Sequence, residues 1–241
     1  MDQQLFQEGL QQLRSIAEGL NNPWIIWVPL SGVVVALLLG ILGIFQDWIR
    51  VWFKKPNLKA SIALEPPDCL KIPLTENHRK ICDTYYCRFR VENGGNYYAE
   101  NVEAMVTEVY MKKGDQYERL ANFLPLNLVW ANSRQLITMP IIQPKLFKHL
   151  DFGHILESKI IRGYLESFGI NSSASIFFEL DVAVKPNTGS HILLPGDYKV
   201  NIIFAGSNIK PRQKTYHLIL NDRWDNNEQK MLKENVFIKE I

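Results

Sequence analysis

A mainly β chain, a two-sheet sandwich tethered to one N-terminal transmembrane helix, is what this sequence predicts. Three observations carry that expectation. An uncharged apolar block runs from Asn21 to Gln46. Beyond residue 57 the pattern changes to runs in which apolar and polar residues alternate with the period of a half-buried strand. A Pro-Gly turn at Pro195-Gly196 then feeds Tyr198 at the head of one such run.

The apolar block is the clearest element. Trp24 to Phe45 reads WIIWVPLSGVVVALLLGILGIF, and at about 1.5 Å per residue it covers ~33 Å, enough for a hydrocarbon core of ~30 Å. Trp24 and Trp27 precede it, and Trp48 and Trp52 follow. Amphipathic rings prefer the headgroup level, so these four mark the two interfaces. Asn22 and Pro23 suit the cap and first helical position. The flanking charges exclude a cleaved signal peptide, because Asp2, Glu8 and Glu18 outnumber Arg14 where a positive region is needed. The chain therefore divides into an amphipathic segment 1–22, a transmembrane helix 23–46, a basic aromatic collar 47–56, and a β domain 57–241 with an irregular insertion at 121–172.

Arg50, Lys54, Lys55 and Lys59 lie on the C-terminal side of the block. Positively charged flanks stay cytoplasmic, which places the N-terminus outside and the large domain inside. The collar of Trp48, Arg50, Trp52, Lys54 and Lys55 suits anionic headgroups. Gly32, Ala36 and Gly40 stack on one helix face, a spacing that lets two backbones approach and predicts homo-oligomers through this helix. Phe6, Leu10, Leu13, Ala17 and Leu20 form a short apolar seam, suited to lying on the membrane surface or to pairing.

The domain is a series of strands and turns. Tyr85, Cys87, Phe89 and Val91 alternate with Tyr86, Arg88 and Arg90. Asn93-Gly94-Gly95-Asn96 is a turn, and Val102, Ala104 and Val106 resume the alternation, which reads as a hairpin. Phe178, Leu180, Val182 and Val184 alternate with Glu179 and Asp181. Tyr198, Val200, Ile202 and Phe204 make another strand, and Tyr216, Leu218 and Leu220 the next. Leu124–Trp130 is one further strand inside the insertion, with Trp130 as an anchor. Ile155–Phe168 has partial helical spacing. Asp225–Glu234 suits a short helix capped by Asp225, and Val236–Ile241 is extended.

Leu194-Pro195-Gly196-Asp197-Tyr198 has the form of a tyrosine corner, in which a buried phenol bonds back to the backbone upstream. That makes an immunoglobulin-like β-sandwich the expected fold, with Val200 where a disulfide cysteine would otherwise stand. The strings VENGGNYYAENVEAMV, FLPLNLVWANS, FKHLDFGHI and LLPGDYKVNIIFAGSN resemble a family of poorly characterised prokaryotic proteins with an N-terminal membrane helix and an immunoglobulin-like domain. The resemblance covers roughly residues 55–224. It implies architecture and brings no activity to any position.

Candidate chemistry is sparse. Cys69, His78, Cys82 and Cys87 are four zinc-capable side chains, but they lack the paired C-x2-4-C knuckles of zinc sites. His149, Asp151 and His154 set two imidazoles near a carboxylate, a trio that could ligate a metal, shuttle protons or serve a hydrolase. His78, His191 and His217 stand alone and read as surface or turn residues. No Walker loop, dinucleotide fingerprint, HExxH or G-x-S-x-G is present. A net charge of +2 offers no basic face for nucleic acid. Three cysteines describe no secreted disulfide framework and suit a reducing compartment.

The expected function is a non-catalytic, membrane-anchored binding module at the cytoplasmic face, without cofactor or metal. Its partners would be the bilayer and a protein or small ligand. The alternative is an oligomerising membrane effector whose clustered helices perturb the bilayer.

Overall fold

The computed structural model describes residues 2–20, 23–46, 54–76, 79–133, 136–158 and 162–241. It divides into two compact units, Met1–Lys54 and Lys55–Ile241. The first holds α1 (Asp2–Leu20) and α2 (Pro23–Ile44). Within α2, Trp27–Ile44 has a mean hydropathy of 2.3 and none of it is buried, so this one helix is long and apolar enough to cross a membrane.

The second unit is mainly β and consists of two antiparallel sheets. One is built from β1 (Leu58–Ser61), β2 (Cys69–Glu76), β3 (Arg79–Asn93), β8 (Phe147–Glu157), β9 (Ile176–Leu180) and β10 (Ile192–Leu193), in the order β1-β3-β8-β9-β10, with β2 also on β3. The other takes β4 (Ala99–Lys113), β5 (Gln116–Arg119), β6 (Leu126–Asn127), β7 (Met139–Ile142), β11 (Gly196–Gly206), β12 (Ile209–Leu220) and β13 (Val236–Glu240). Its order is β13-β12-β11-β4-β5, and β6 and β7 also pair with β4.

The expected inward residues of β3, β4, β11 and β12 are the ones that meet. Phe89 of β3 lies 4.6 Å from Tyr216 of β12 and 6.1 Å from Phe204 of β11, ring centre to ring centre. One hydrophobic core thus joins both sheets. Trp130 is buried within it, its indole N–H donating to the carbonyls of Val102 and Ile137.

Three expectations need correction. First, β3 and β4 do not pair; they belong to different sheets. The Asn93–Asn96 turn carries the chain across the core because Asn93 spends its side chain on other partners. Its amide donates to the carbonyls of Tyr97 and Ile142, and its Oδ1 accepts from the N–H groups of Asn57 and Gly95.

Second, 121–172 is not an irregular insertion. It contains the eleven-residue β8, which lies between β3 and β9. A bulge hides this strand from a period-2 reading. Cys87 pairs with Gly153 but Arg88 pairs with Asp151, so Phe152 is the extra residue and the alternation changes phase there. Gly153 is required at the bulge, since a Cβ would run into the Glu179 carbonyl and the Phe178 ring.

Third, the closing helix is short, Glu228–Lys230, and its cap is Asn227; Asp225 instead accepts from the Asn227 N–H. A π-helical turn, Met231–Asn235, then leads into β13.

Candidate functional site

The first sheet is buried on both faces where α3 (Arg162–Ser167) crosses it. Leu165 and the flanking Phe168 pack on Leu156, Phe177, Ile192 and Cys82, forming a second apolar cluster outside the main core. Every residue of β9 is consequently buried. Glu179, on its outer phase, would ordinarily face water, yet it is 1% exposed.

Charged groups converge on Glu179. Its Oε1 accepts from the Tyr164 hydroxyl at 2.8 Å and pairs with the Lys185 ammonium at 2.5 Å. His154, its register partner on β8, places Nε2 at 3.8 Å from Oε2. The other nitrogen of His154, Nδ1, is 2.9 Å from Asp181 Oδ1. Tyr86 stacks on the His154 ring at 4.9 Å, and the Arg88 guanidinium lies 5.7 Å from the Tyr86 ring. Arg88 also faces Asp151, Nε to Oδ1 at 3.3 Å. His191 completes the group, buried with Nε2 3.8 Å from Glu179.

A cavity of about 460 Å³ opens over this cluster, with His154, Glu179, Asp181 and Lys185 in its lining and Tyr86, Tyr164 and Ile81 beside them. Among the described residues, six buried side-chain atoms make no hydrogen bond. Five of them belong to this cluster: Asp181 Oδ2 on a residue that lines the cavity, both ring nitrogens of His191, and Arg88 Nε and Asp151 Oδ1, which face each other as an ion pair without hydrogen-bond geometry. Unsatisfied buried polar groups are costly and concentrate at functional sites. A larger cleft of about 760 Å³ lies between Ile170–Ser175 and Asp222–Trp224.

The electrostatics follow from burial and neighbours. Burial, then the Asp181 charge, pushes the Asp151 carboxyl up to about 7, against the opposing pull of Arg88 and His154. For His154, burial lowers the pKa, but the charge and hydrogen bond of Asp181, with Glu179, outweigh it and the net shift is upward. Burial holds His191 below its ordinary value. Burial also raises the phenols of Tyr86 and Tyr164 to about 12.

The trio His149, Asp151 and His154 shares the outer face of β8 because the bulge shifts the phase, but it does not act together. His149 turns to Asp68 at 3.1 Å, while Asp151 and His154 gather about Asp181. The cysteine set is divided as well. Cys69 and Cys87 are register partners facing the main core, and Cys82 faces the second cluster; His78 lies outside the described residues. Among the described residues no group of three or more His, Cys, Asp or Glu could hold a metal ion.

Trp24 and Trp27 are exposed on α2, and Gly32, Ala36 and Gly40 all fall within that helix. Lys54 and Lys55 are exposed; Trp48, Arg50 and Trp52 lie outside the described residues. Tyr198 is buried, and its hydroxyl donates to the Leu194 carbonyl at 2.8 Å.

No protein-family model matches the chain, and no curated protein does.

Glu179, Asp181, Tyr164, Lys185, Tyr86 and His191 escaped the sequence reading. Alternation marks Glu179 and Asp181 as outward, which normally means solvated. Only the packing of α3 on that face turns them into a buried network, and nothing local announces it. His191 was expected at the surface; it is buried because Phe168 packs edge-on against its ring at 5.1 Å.

Proposed function

We propose that this protein is a non-catalytic, membrane-tethered binding module that takes a small ligand, or a side chain of a partner protein, into the Glu179–His154 cavity. The carrying observation is the cluster of buried, partly unsatisfied charges beneath an open cavity. Such groups cost stability and have no structural need that apolar residues could not meet. An aromatic rim on Tyr86 and Tyr164 suits a binding pocket with few, placed polar groups.

Two features support binding over catalysis. Carboxylates near both its nitrogens shift His154 upward against the pull of burial, which favours the protonated ring over the neutral one that would take a proton from a nucleophile. The neighbouring phenols stay protonated at neutral pH. The tether reading rests on the wholly exposed apolar span Trp27–Ile44, and the basic residues after it favour a cytoplasmic domain. Two sheets about one core, with the Tyr198–Leu194 bond, support the immunoglobulin-like sandwich as the finer fold.

The test uses the full chain in detergent. Ligands retained by the wild type and lost from both Tyr86→Ala and Asp181→Ala support the cavity; equal retention by all three proteins removes it. Membrane tethering is checked by alkaline extraction, and a chain released into the aqueous fraction ends that part of the reading.

A further inference from the structure

The end of the β domain where the chain joins it carries a second surface. Lys55 is the first residue of the unit, and its backbone N–H donates to Asn96 Oδ1. The Asn57 carbonyl accepts from the Gly94 N–H, and Lys145 reaches the Gly94 carbonyl with Nζ at 2.9 Å. Asn93 ties these pieces to the turn between β7 and β8, its N–H donating to the Leu146 carbonyl. These bonds tie the joining segment to both neighbouring turns.

Its surface combines apolar and basic groups. Leu146 is 55% exposed and Phe147 39%. Lys59, Glu92 and Phe147 are register partners in one row across β1, β3 and β8. Arg90 lies over the Phe147 ring at 3.8 Å and 4.0 Å from Glu92, the acidic member of the row. Lys145, next to Leu146 in the chain, is exposed, with its Nζ on the Gly94 carbonyl. Two adjacent exposed hydrophobics with Lys59, Arg90 and Lys145 around them have the chemistry of an anionic lipid surface, where apolar tips enter the interface and basic heads meet phosphates.

We propose that this end of the domain docks on an anionic bilayer. The inference rests on the tether reading, because the bilayer that would hold α2 is the surface this end meets. Ten residues (45–54) separate Ile44 from Lys55, a link that spans at most ~35 Å. The Glu179 cavity lies further along the same sheet. Tyr86 is seven residues from Asn93 on β3, about 23 Å at strand spacing, so docking leaves the cavity open to solution.

The three native cysteines are buried, so an introduced surface cysteine takes a fluorophore alone. The full chain is placed in nanodiscs containing nitroxide-labelled lipid, with Gln143→Cys in the turn before Leu146. Asp115→Cys, at the far end of the fifteen-residue β4, is the reference. In discs with phosphatidylglycerol, quenching at 143 and its absence at 115 are expected. Each basic side chain at an anionic surface multiplies partitioning about fivefold, so Lys59→Glu with Lys145→Glu lowers docking more than about twentyfold and abolishes the quenching. Leu146→Ser with Phe147→Ser does the same. Equal quenching at both positions, or none at 143, overturns the proposal. So does energy transfer between chains at 143, which would show a second copy covering the patch. A chain that fails to enter the discs at all sinks the tether reading, and this one with it.

Discussion

His154 and Asp181 meet at 2.9 Å beneath the stacked ring of Tyr86, an imidazole on a carboxylate in the lining of the open cavity. Their pairing makes the domain sensitive to pH. A histidine whose pKa is raised on folding contributes stability that is complete below its unfolded value of 6.5 and is lost as pH rises through the folded one. Asp151 has the same sign. Its folded value of about 7 stands above the ordinary 3.8, so the protonated form favours the fold and the contribution drains away between those two values. Asp83, Asp197 and Asp225 are lowered, and their contributions are lost only in acid as pH falls through their depressed folded values. Urea denaturation should therefore show stability falling from about pH 4 to pH 7, the span of the Asp151 shift, with His191, held low by burial, working in the opposite direction near the top of that window. Asp151→Asn, which mimics the protonated acid, should flatten the lower part of that decline; an unchanged slope refutes the assignment.

Removing Lys185 leaves the Glu179 carboxylate buried with less countercharge. A buried pair broken from one side costs about 3–5 kcal/mol. Lys185 is itself 49% exposed in its side chain, so water screens part of the pair and about 1–2 kcal/mol is expected for Lys185→Met. Adding Glu179→Gln should recover a portion, because the uncompensated charge is then gone. A double-mutant cycle by chemical denaturation measures the coupling, and simple additivity of the two changes would show that they do not interact.

These residues show what the sequence could and could not reveal. Phe89, Val91, Val102, Tyr198 and Tyr216 were legible as core, because a strand with one apolar face writes its orientation in every second residue. The strand β8 was not, since one bulge at Phe152 reverses the phase halfway along. Pairing partners were illegible too: the Asn-Gly-Gly-Asn turn suits a hairpin locally, and only the long-range bonds of Asn93 show that the chain changes sheets. The site was the least legible, because Glu179 owes its burial to α3, whose packing face is spread over Leu165 and Phe168 with no local motif.

Tyr198 gives a compact test of the corner before β11. Its hydroxyl spans four residues back to Leu194 while the ring packs in the core. Tyr198→Phe keeps the ring and deletes one bond, leaving the carbonyl unsatisfied, so a loss of about 1 kcal/mol is expected. Tyr198→Ala adds a cavity and should cost about 3–5 kcal/mol. Equal losses for the two variants would mean that the hydroxyl holds the corner and the ring contributes little.

Asn93 is the position where a small change should do most. Its fully buried side chain satisfies four backbone groups from Asn57, Gly95, Tyr97 and Ile142. Asn93→Ala orphans all four, and with roughly 1 kcal/mol or more for each the total loss should reach about 4 kcal/mol. Asn93→Asp separates the two halves of that network. A carboxylate still accepts from Asn57 and Gly95, but it meets the carbonyls of Tyr97 and Ile142 with negative charge instead of N–H donors. At neutral pH it should be at least as damaging as alanine, and lowering the pH should restore part of the loss as the acid gains a proton. Denaturation of both variants at two pH values decides the matter: an aspartate variant as stable as the wild type at neutral pH would mean that the Tyr97 and Ile142 bonds do not hold the chain in its passage between sheets.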